Sequence, residues 1–228
     1  VAGTSATLAG SDHIVPPMTV PNAYTAPLAA RAKSVVSVPV MVAGRINQPQ
    51  EAERILELGQ ADACIMTRAL ICDPLLPVKA ADGRIDEIRA CVGCNQACIG
   101  HFHAGYPISC IQYPESGREL QYGRLVRADH ARNVLVVGGG PGGLKAATVA
   151  AERGHRVTLY EAARRVGGQV LLAERLPGRA EFGGVITNLA AEARRAGVRI
   201  VTGTSVDLDL IRREGPDVVI VATGAGPR

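Results

Sequence analysis

Six cysteines stand in this 228-residue chain, and four of them fall within twenty residues: Cys91, Cys94, Cys98 and Cys110, spaced C-x2-C-x3-C-x11-C. Thiols at this density ligate a metal, form disulfides or work as a redox pair. Three close thiolates and one more distant suit an iron–sulfur cluster, which takes four cysteine ligands. Gly93 and Gly100 would let the backbone wrap tightly around such a group. Zinc is the rival. Structural zinc sites usually pair two C-x2-C knuckles or bring histidine into the second pair. Cys110 has no cysteine partner close by, whereas His101 and His103 lie between it and the other three. Cys64, inside an apolar run, reads as a small core residue, and Cys72 reads as a free thiol; neither is assigned to the metal. His101, His103 and His130 read as polar loop residues, with a hydrogen bond to a cluster sulfur as the functional option.

A second constellation follows. The apolar run Val134–Val137 leads into Gly138-Gly139-Gly140-Pro141-Gly142-Gly143, then a helix from Leu144 to about Arg153, then the strand Val157–Tyr160 with Glu161 at its tip. A G-x-G-x-x-G turn that leaves a strand, opens a helix and is followed by an acidic residue 18 positions after its last glycine is the phosphate turn of a dinucleotide fold. Gly138 permits the tight turn, Gly140 lets the backbone approach a pyrophosphate, and Gly143 lets helix and strand pack closely. The helix start turns free N–H groups and the positive dipole end toward the phosphates. Glu161 can accept both ribose hydroxyls, which disfavours a 2′-phosphate. A further helix over 180–196 and strands over 198–201 and 218–221 complete the pattern, which closes with Ala222-Thr223-Gly224.

The residues before the cysteines must position something else. Val1–Thr4 reads as a strand end, 26–34 as a short helix, Val38–Ala43 as a buried strand, 48–58 as an amphipathic helix starting at Pro49, Ala63–Met66 as another buried strand, and a helix follows from about Pro74. Strand–helix–strand–helix with short loops is parallel α/β grammar. Each strand runs into an arginine-bearing turn, Gly44-Arg45 and Thr67-Arg68. In a (β/α)8 barrel the last two such turns often hold a phosphate; the plain alternative is two βα loops with surface arginines.

Bulk properties set the frame. The chain is 47% apolar and 20% charged, with a net charge of +4, no Trp and 3% aromatics. Its basic residues are scattered, so neither a nucleic-acid patch nor a stacking platform is expected. No apolar run reaches membrane-spanning length and no leader is evident, so no membrane partner is expected and a reducing cytoplasm fits the clustered thiols. Both ends, one without Met and one at Gly226-Pro227-Arg228, read as cuts from a longer chain.

Together these motifs resemble the old yellow enzyme family, in its long iron–sulfur branch of the 2,4-dienoyl-CoA reductase and trimethylamine dehydrogenase type. The resemblance rests on Val40–Ile46, Ala61–Leu70, Asp73–Pro77, Ile88–Cys98 with Cys110, and the combination G-x-G-x-x-G, E-x5-G-G, A-T-G. It implies an α/β chain made of the C-terminal end of a TIM (β/α)8 barrel over 1–90, a 4Fe–4S loop and linker over 91–133, and an incomplete Rossmann-like FAD/NAD(P)-binding domain over 134–228. It implies FMN contacts at Gly44, Arg45, Thr67 and Arg68, and a 4Fe–4S cluster on Cys91, Cys94, Cys98 and Cys110. It implies FAD, or ADP in its place, on Gly138, Gly140, Pro141, Gly142, Gly143, Glu161, Gly168, Gln169, Thr223 and Gly224. NAD(P)H is the implied co-substrate of the full enzyme, and the catalytic residues are expected outside this chain. The cysteine spacing resembles the enoyl reductases. The stretch from Cys110 to Tyr122 is more similar to the amine-demethylating members, for which an electron-transferring flavoprotein would be the partner. The expectation is an oxidoreductase relaying electrons between these centres to reduce a small unsaturated substrate. Oxidative demethylation of methylated amines is the alternative, and a zinc-stapled nucleotide-binding module without catalysis the second.

Overall fold

The structure is a computed structural model that describes residue 10 and residues 13–226; the strand end expected at Val1–Thr4 lies outside them. The chain divides into two compact units, Val1–Gly123 and Arg124–Arg228. The expected linker is therefore shared: the cysteine segment compacts with the first unit and residues 124–133 with the second.

In the first unit, α1 (Ala26–Lys33), β1 (Met41–Ala43), α2 (Pro49–Glu57), β2 (Ala63–Ile65), α3 (Thr67–Cys72) and α4 (Leu76–Ala81) follow in order. β1 and β2 pair in parallel with Met41 opposite Ala63 and Ala43 opposite Ile65. Val42, Ile46, Ile55, Ala26 and Ala61 form the small core between them and their helices. α2 begins at Pro49, whose missing N–H costs nothing there. It carries a capping box: Glu51 Oε2 accepts from Asn47 N at 2.7 Å and Gln48 N at 3.2 Å.

Two elements differ from the sequence expectation. The first strand starts at Met41, not Val38: Val40 N donates to the Asp62 carboxylate at 2.8 Å, so a side chain takes the ladder position ahead of the strand. The helix expected from about Pro74 begins at Leu76, and a helix that was not expected, Thr67–Cys72, precedes it. Asp73 ends that first helix at φ −140°, ψ 92°, because the residue before a proline is pushed out of the helical region.

The second unit is a four-stranded parallel sheet in the order β5-β4-β3-β6, where β3 is Asn133–Val137, β4 Arg156–Glu161, β5 Arg199–Thr202 and β6 Val218–Val221. α5 (Pro141–Glu152) joins β3 to β4, α6 (Phe182–Arg195) precedes β5, and α7 (Leu208–Glu214) precedes β6. Strand order 3-2-1-4 within the unit is one half of a doubly wound dinucleotide fold. Leu135, Val136, Leu144 and Leu159 are at most 2% exposed; burying each contributes about 1.5–3 kcal/mol. α6 buries Phe182, Val185, Ile186, Leu189, Ala190 and Ala193, a stripe at helical spacing that fixes which face meets the sheet. Among the described residues no helix is long and apolar enough to cross a membrane.

Candidate functional site

Cys91, Cys94, Cys98 and Cys110 line one cavity, with Arg68 and Gln112 in its wall. The local backbone explains how. Gly93 adopts φ +60°, and a Cβ there would lie 3.0 Å from Met18 N, so glycine is favoured in the turn between the first two cysteines. Asn95 takes the left-handed conformation at φ +57°, which Asn tolerates better than most residues. Gln96–Gly100 is a π-helical turn carrying Cys98, with Gly100 N donating to Asn95 O at 2.9 Å. Ser109 N then donates to Ala97 O at 2.7 Å, which brings Cys110 beside Cys98.

The thiols differ electrostatically. Burial raises the pKa of Cys91 and takes Cys94 up to about 11. Cys110 is lowered to about 6, first because the Cys72 thiol hydrogen-bonds to it, and then because the backbone N–H groups of Gln112 and Tyr113 do so. Among the described residues no group of three or more His, Cys, Asp or Glu is placed to hold one metal ion. The four thiols line one cavity, and four thiolates are a ligand set that an iron–sulfur cluster or a zinc ion can use. Neither His101 nor His103 lines this cavity; His101 Nδ1 lies 3.1 Å from Pro107 O.

Behind the cysteines stands a buried polar hub that sequence reasoning missed. Asp73, at 0% exposure, meets Lys79 Nζ at 2.6 Å, Arg89 N at 3.0 Å and Leu75 N at 3.2 Å, with Arg89 Nη2 at 3.9 Å. Arg89 also places its guanidinium 4.6 Å from the Tyr113 ring centroid. The hub thus braces the chain just before Cys91 and just after Cys110. Asp73-Pro74 and Ile88-Arg89 stood in the resemblance, but a buried ion pair between residues sixteen apart leaves no periodic trace.

Gly44, Arg45, Thr67 and Arg68 line a second cavity, alongside His13 and Tyr24. Gly44 is at φ +150°, and a Cβ there would collide with the Thr25 side chain. The Arg45 side chain is turned inward: Nη1 donates to Pro17 O at 2.7 Å and Val20 O at 2.8 Å, and the residue is 4% exposed. Arg68 borders both cavities and donates to Asn95 Oδ1 at 2.7 Å. It is the cation common to the two sites.

In the second unit three glycine-bearing segments converge. Pro141 is the first residue of α5 and Gly140 its extended N-cap. Gly138 is at φ +107° against Ala222 O, and a Cβ on Gly143 would strike Gly138 O. Gly140 is different: the nearest atom to a Cβ there is Gly168 Cα, at 4.0 Å. Gly167 N donates to Gly139 O at 2.8 Å, so the Gly167-Gly168 turn covers the phosphate turn. Gln169 Nε2 reaches Ala225 O at 2.6 Å, just after Thr223 and Gly224. Glu161 stands beside the turn, with Oε2 accepting from Gly139 N at 2.7 Å and Oε1 from Ala163 N at 2.8 Å. Each carboxylate oxygen keeps a further lone pair for a ribose hydroxyl.

Residues 132–228 match the family model "Pyridine nucleotide-disulphide oxidoreductase". Over 201 residues the chain is 43% identical to an NADH oxidase of Thermoanaerobacter brockii, covering 88% of this chain and 31% of the relative. It is 44% identical over 218 residues to an N,N-dimethylglycine/sarcosine dehydrogenase of Chromohalobacter salexigens, covering 94% and 31%. The solved structure of a 2-naphthoyl-CoA reductase superposes with a TM-score of 0.88 at 33% identity, over 93% of this chain and 32% of that one. The chain is similar to iron–sulfur flavoproteins of the old yellow enzyme family. It spans about a third of the length of these relatives. The old yellow enzyme resemblance read from the sequence is borne out, and the cavity lined by the four cysteines lies in the portion shared with these relatives.

Proposed function

We propose that this chain is the central segment of an oxidoreductase that reduces an unsaturated acyl substrate of the enoate or dienoyl-CoA class at the expense of NAD(P)H. The observation that carries the reading is the cavity ringed by Cys91, Cys94, Cys98 and Cys110, which shares Arg68 with the Gly44/Thr67 cavity. In this reading the four thiols hold a 4Fe–4S cluster, Gly44, Arg45, Thr67 and Arg68 hold the FMN phosphate, and the Gly138–Gly143 turn with Glu161, Gly168, Gln169, Thr223 and Gly224 holds FAD or ADP. When bound, these groups supply hydride and one-electron chemistry. The chain's own residues position and bias them. Arg68 sets a positive charge between two anionic groups, the α5 N-terminus faces a pyrophosphate, and Glu161 selects a free 2′-hydroxyl. β1 and β2 are the last two strands of the barrel: Met41 is 65% and Ile65 45% exposed, the apolar flank that two strands of a closed sheet present when considered by themselves. The thiol set belongs in a reducing cytoplasm, and the partner is a small molecule.

The test is anaerobic. The full-length protein should contain iron and sulfide, bleach with dithionite, and oxidise NADH or NADPH only when an α,β-unsaturated acid or thioester is added. A colourless protein containing zinc would sink the cluster assignment. Reduction by methylated amines, with no response to NAD(P)H, would transfer the protein to the demethylating class, which passes electrons to a flavoprotein partner.

Gly140→Val separates ligand from fold in the second unit. Because a Cβ at Gly140 meets nothing closer than 4.0 Å, the variant should keep the wild-type melting temperature and lose essentially all FAD or ADP. Gly143→Ala should unsettle the fold itself, through its collision with Gly138 O. Undiminished nucleotide in the Gly140 variant would remove the phosphate turn from this role.

A further inference from the structure

Asn95 sits between the second and third cavity cysteines, in the left-handed conformation at φ +57°. Both ends of its amide are used. Oδ1 accepts from Arg68 Nη1 at 2.7 Å, and Nδ2 donates to Val15 O at 2.7 Å. A guanidinium only donates and a carbonyl only accepts, so the amide has one orientation. Arg68 and Val15 both line the Gly44/Thr67 cavity, whereas Asn95 does not; it stands behind that wall and borders the cysteine cavity instead. The two partners lie 27 and 80 residues away in sequence. A neighbouring turn adds a third tie in the same direction: Met18 N donates to Gly93 O at 3.0 Å. The segment over 13–18 thus rests on the cysteine loop, and His13, Ile14, Val15 and Pro16 form part of the wall of the Gly44/Thr67 cavity.

We infer that Asn95 is a positioning residue for the phosphate cavity: from within the cysteine loop it sets the Arg68 guanidinium and the Val15 backbone together, so that FMN binding depends on a folded cysteine loop. The inference rests on the reading of Gly44, Arg45, Thr67 and Arg68 as the FMN phosphate site. The physical reason is the shape of arginine. Its donors form a rigid planar fork, so fixing Nη1 on Asn95 fixes the direction of the remaining N–H groups. A guanidinium held in advance loses less freedom when an anion arrives than one on a mobile stem. Asn suits the position because it tolerates a left-handed backbone better than most residues, and its short amide donates and accepts at once.

The experiment titrates FMN into the full-length protein after removal of its flavin, with iron and sulfide measured on the same samples. Asn95→Gly keeps the left-handed backbone without steric cost and removes both bonds. It should hold wild-type iron and sulfide while the Kd for FMN rises about tenfold, the scale of one charged hydrogen bond. Arg68→Gln should weaken FMN at least as much. In the Arg68→Gln background, adding Asn95→Gly should change the Kd by no more than about twofold, because the side chain through which Asn95 acts is gone. A residue that only stabilised the fold would give its full effect in either background. An unchanged Kd in Asn95→Gly, or full additivity in the double variant, would overturn the inference. If Asn95→Gly does not keep its iron, a crystal structure of the wild-type protein with FMN decides. Arg68 should stay on Asn95 Oδ1 while another of its nitrogens meets the phosphate; a guanidinium turned away from Asn95 would overturn the inference. A wild-type protein that binds no FMN would instead overturn the reading of the cavity, so the two failures are distinct.

Discussion

Replacing Cys94 by alanine should leave the purified full-length protein without cluster iron, without acid-labile sulfide and without visible absorbance that bleaches with dithionite. The effect is close to total because the cavity offers no substitute ligand at that position. Cys91 and Cys98 are already committed on either side, and Cys72 does not line the cavity. His101 and His103 do not line the cavity, so no imidazole can take the place of the thiolate. Burial pushes the Cys94 thiol up to about 11, so bound metal must supply the favourable charge that keeps it ionised at neutral pH. Iron analysis is the measurement. A Cys94→Ala protein with wild-type iron would show that the cavity is not the cluster site. The dinucleotide unit, with its own core and sheet, should keep its FAD or ADP in the same variant.

Replacing Asp73 by leucine should destabilise the first unit by about 3–5 kcal/mol, because removing one partner of a buried ion pair strands the other. Lys79 is 8% exposed and would keep only Glu87 O, at 2.9 Å, as a partner. Arg89 would lose both the carboxylate facing its guanidinium and the acceptor of its backbone N–H. For a unit of this size the melting midpoint should fall by about 10–20 °C. Cluster content should fall with it, since Arg89 precedes Cys91 by two residues and stacks on Tyr113 beyond Cys110. The comparison is Arg212→Ala, which breaks a pair 74% exposed on both sides; such pairs contribute about 0–1 kcal/mol. A Tm change at Asp73 no larger than that at Arg212 would refute the hub.

The two βα turns, the cysteine spacing and the glycine turn were legible before any coordinates, because each is a local pattern. A strand that ends in glycine, a helix that starts at proline and thiols a few residues apart are dictated by backbone geometry within a short window. The same locality explains the misses. The sequence placed a helix from Pro74 but could not show that Asp73 turns its carboxylate inward to Lys79 and Arg89. It placed Arg45 in a phosphate turn but not its guanidinium, which is drawn to the carbonyls of Pro17 and Val20.

By itself, then, the sequence determined the order of the elements, the set of four candidate ligands, the dinucleotide turn and the family resemblance. These follow from spacing along the chain, and spacing is what a sequence records. Only the tertiary structure decided that the four thiols line one cavity, that Arg68 borders two cavities, and that Gln112 reaches both Cys72 and the carbonyl of Ala90. Those facts depend on contacts between segments tens of residues apart. Burial there makes each unpaired donor or charge costly, and so fixes where the side chains of Asp73, Arg89, Gln112 and Cys72 point.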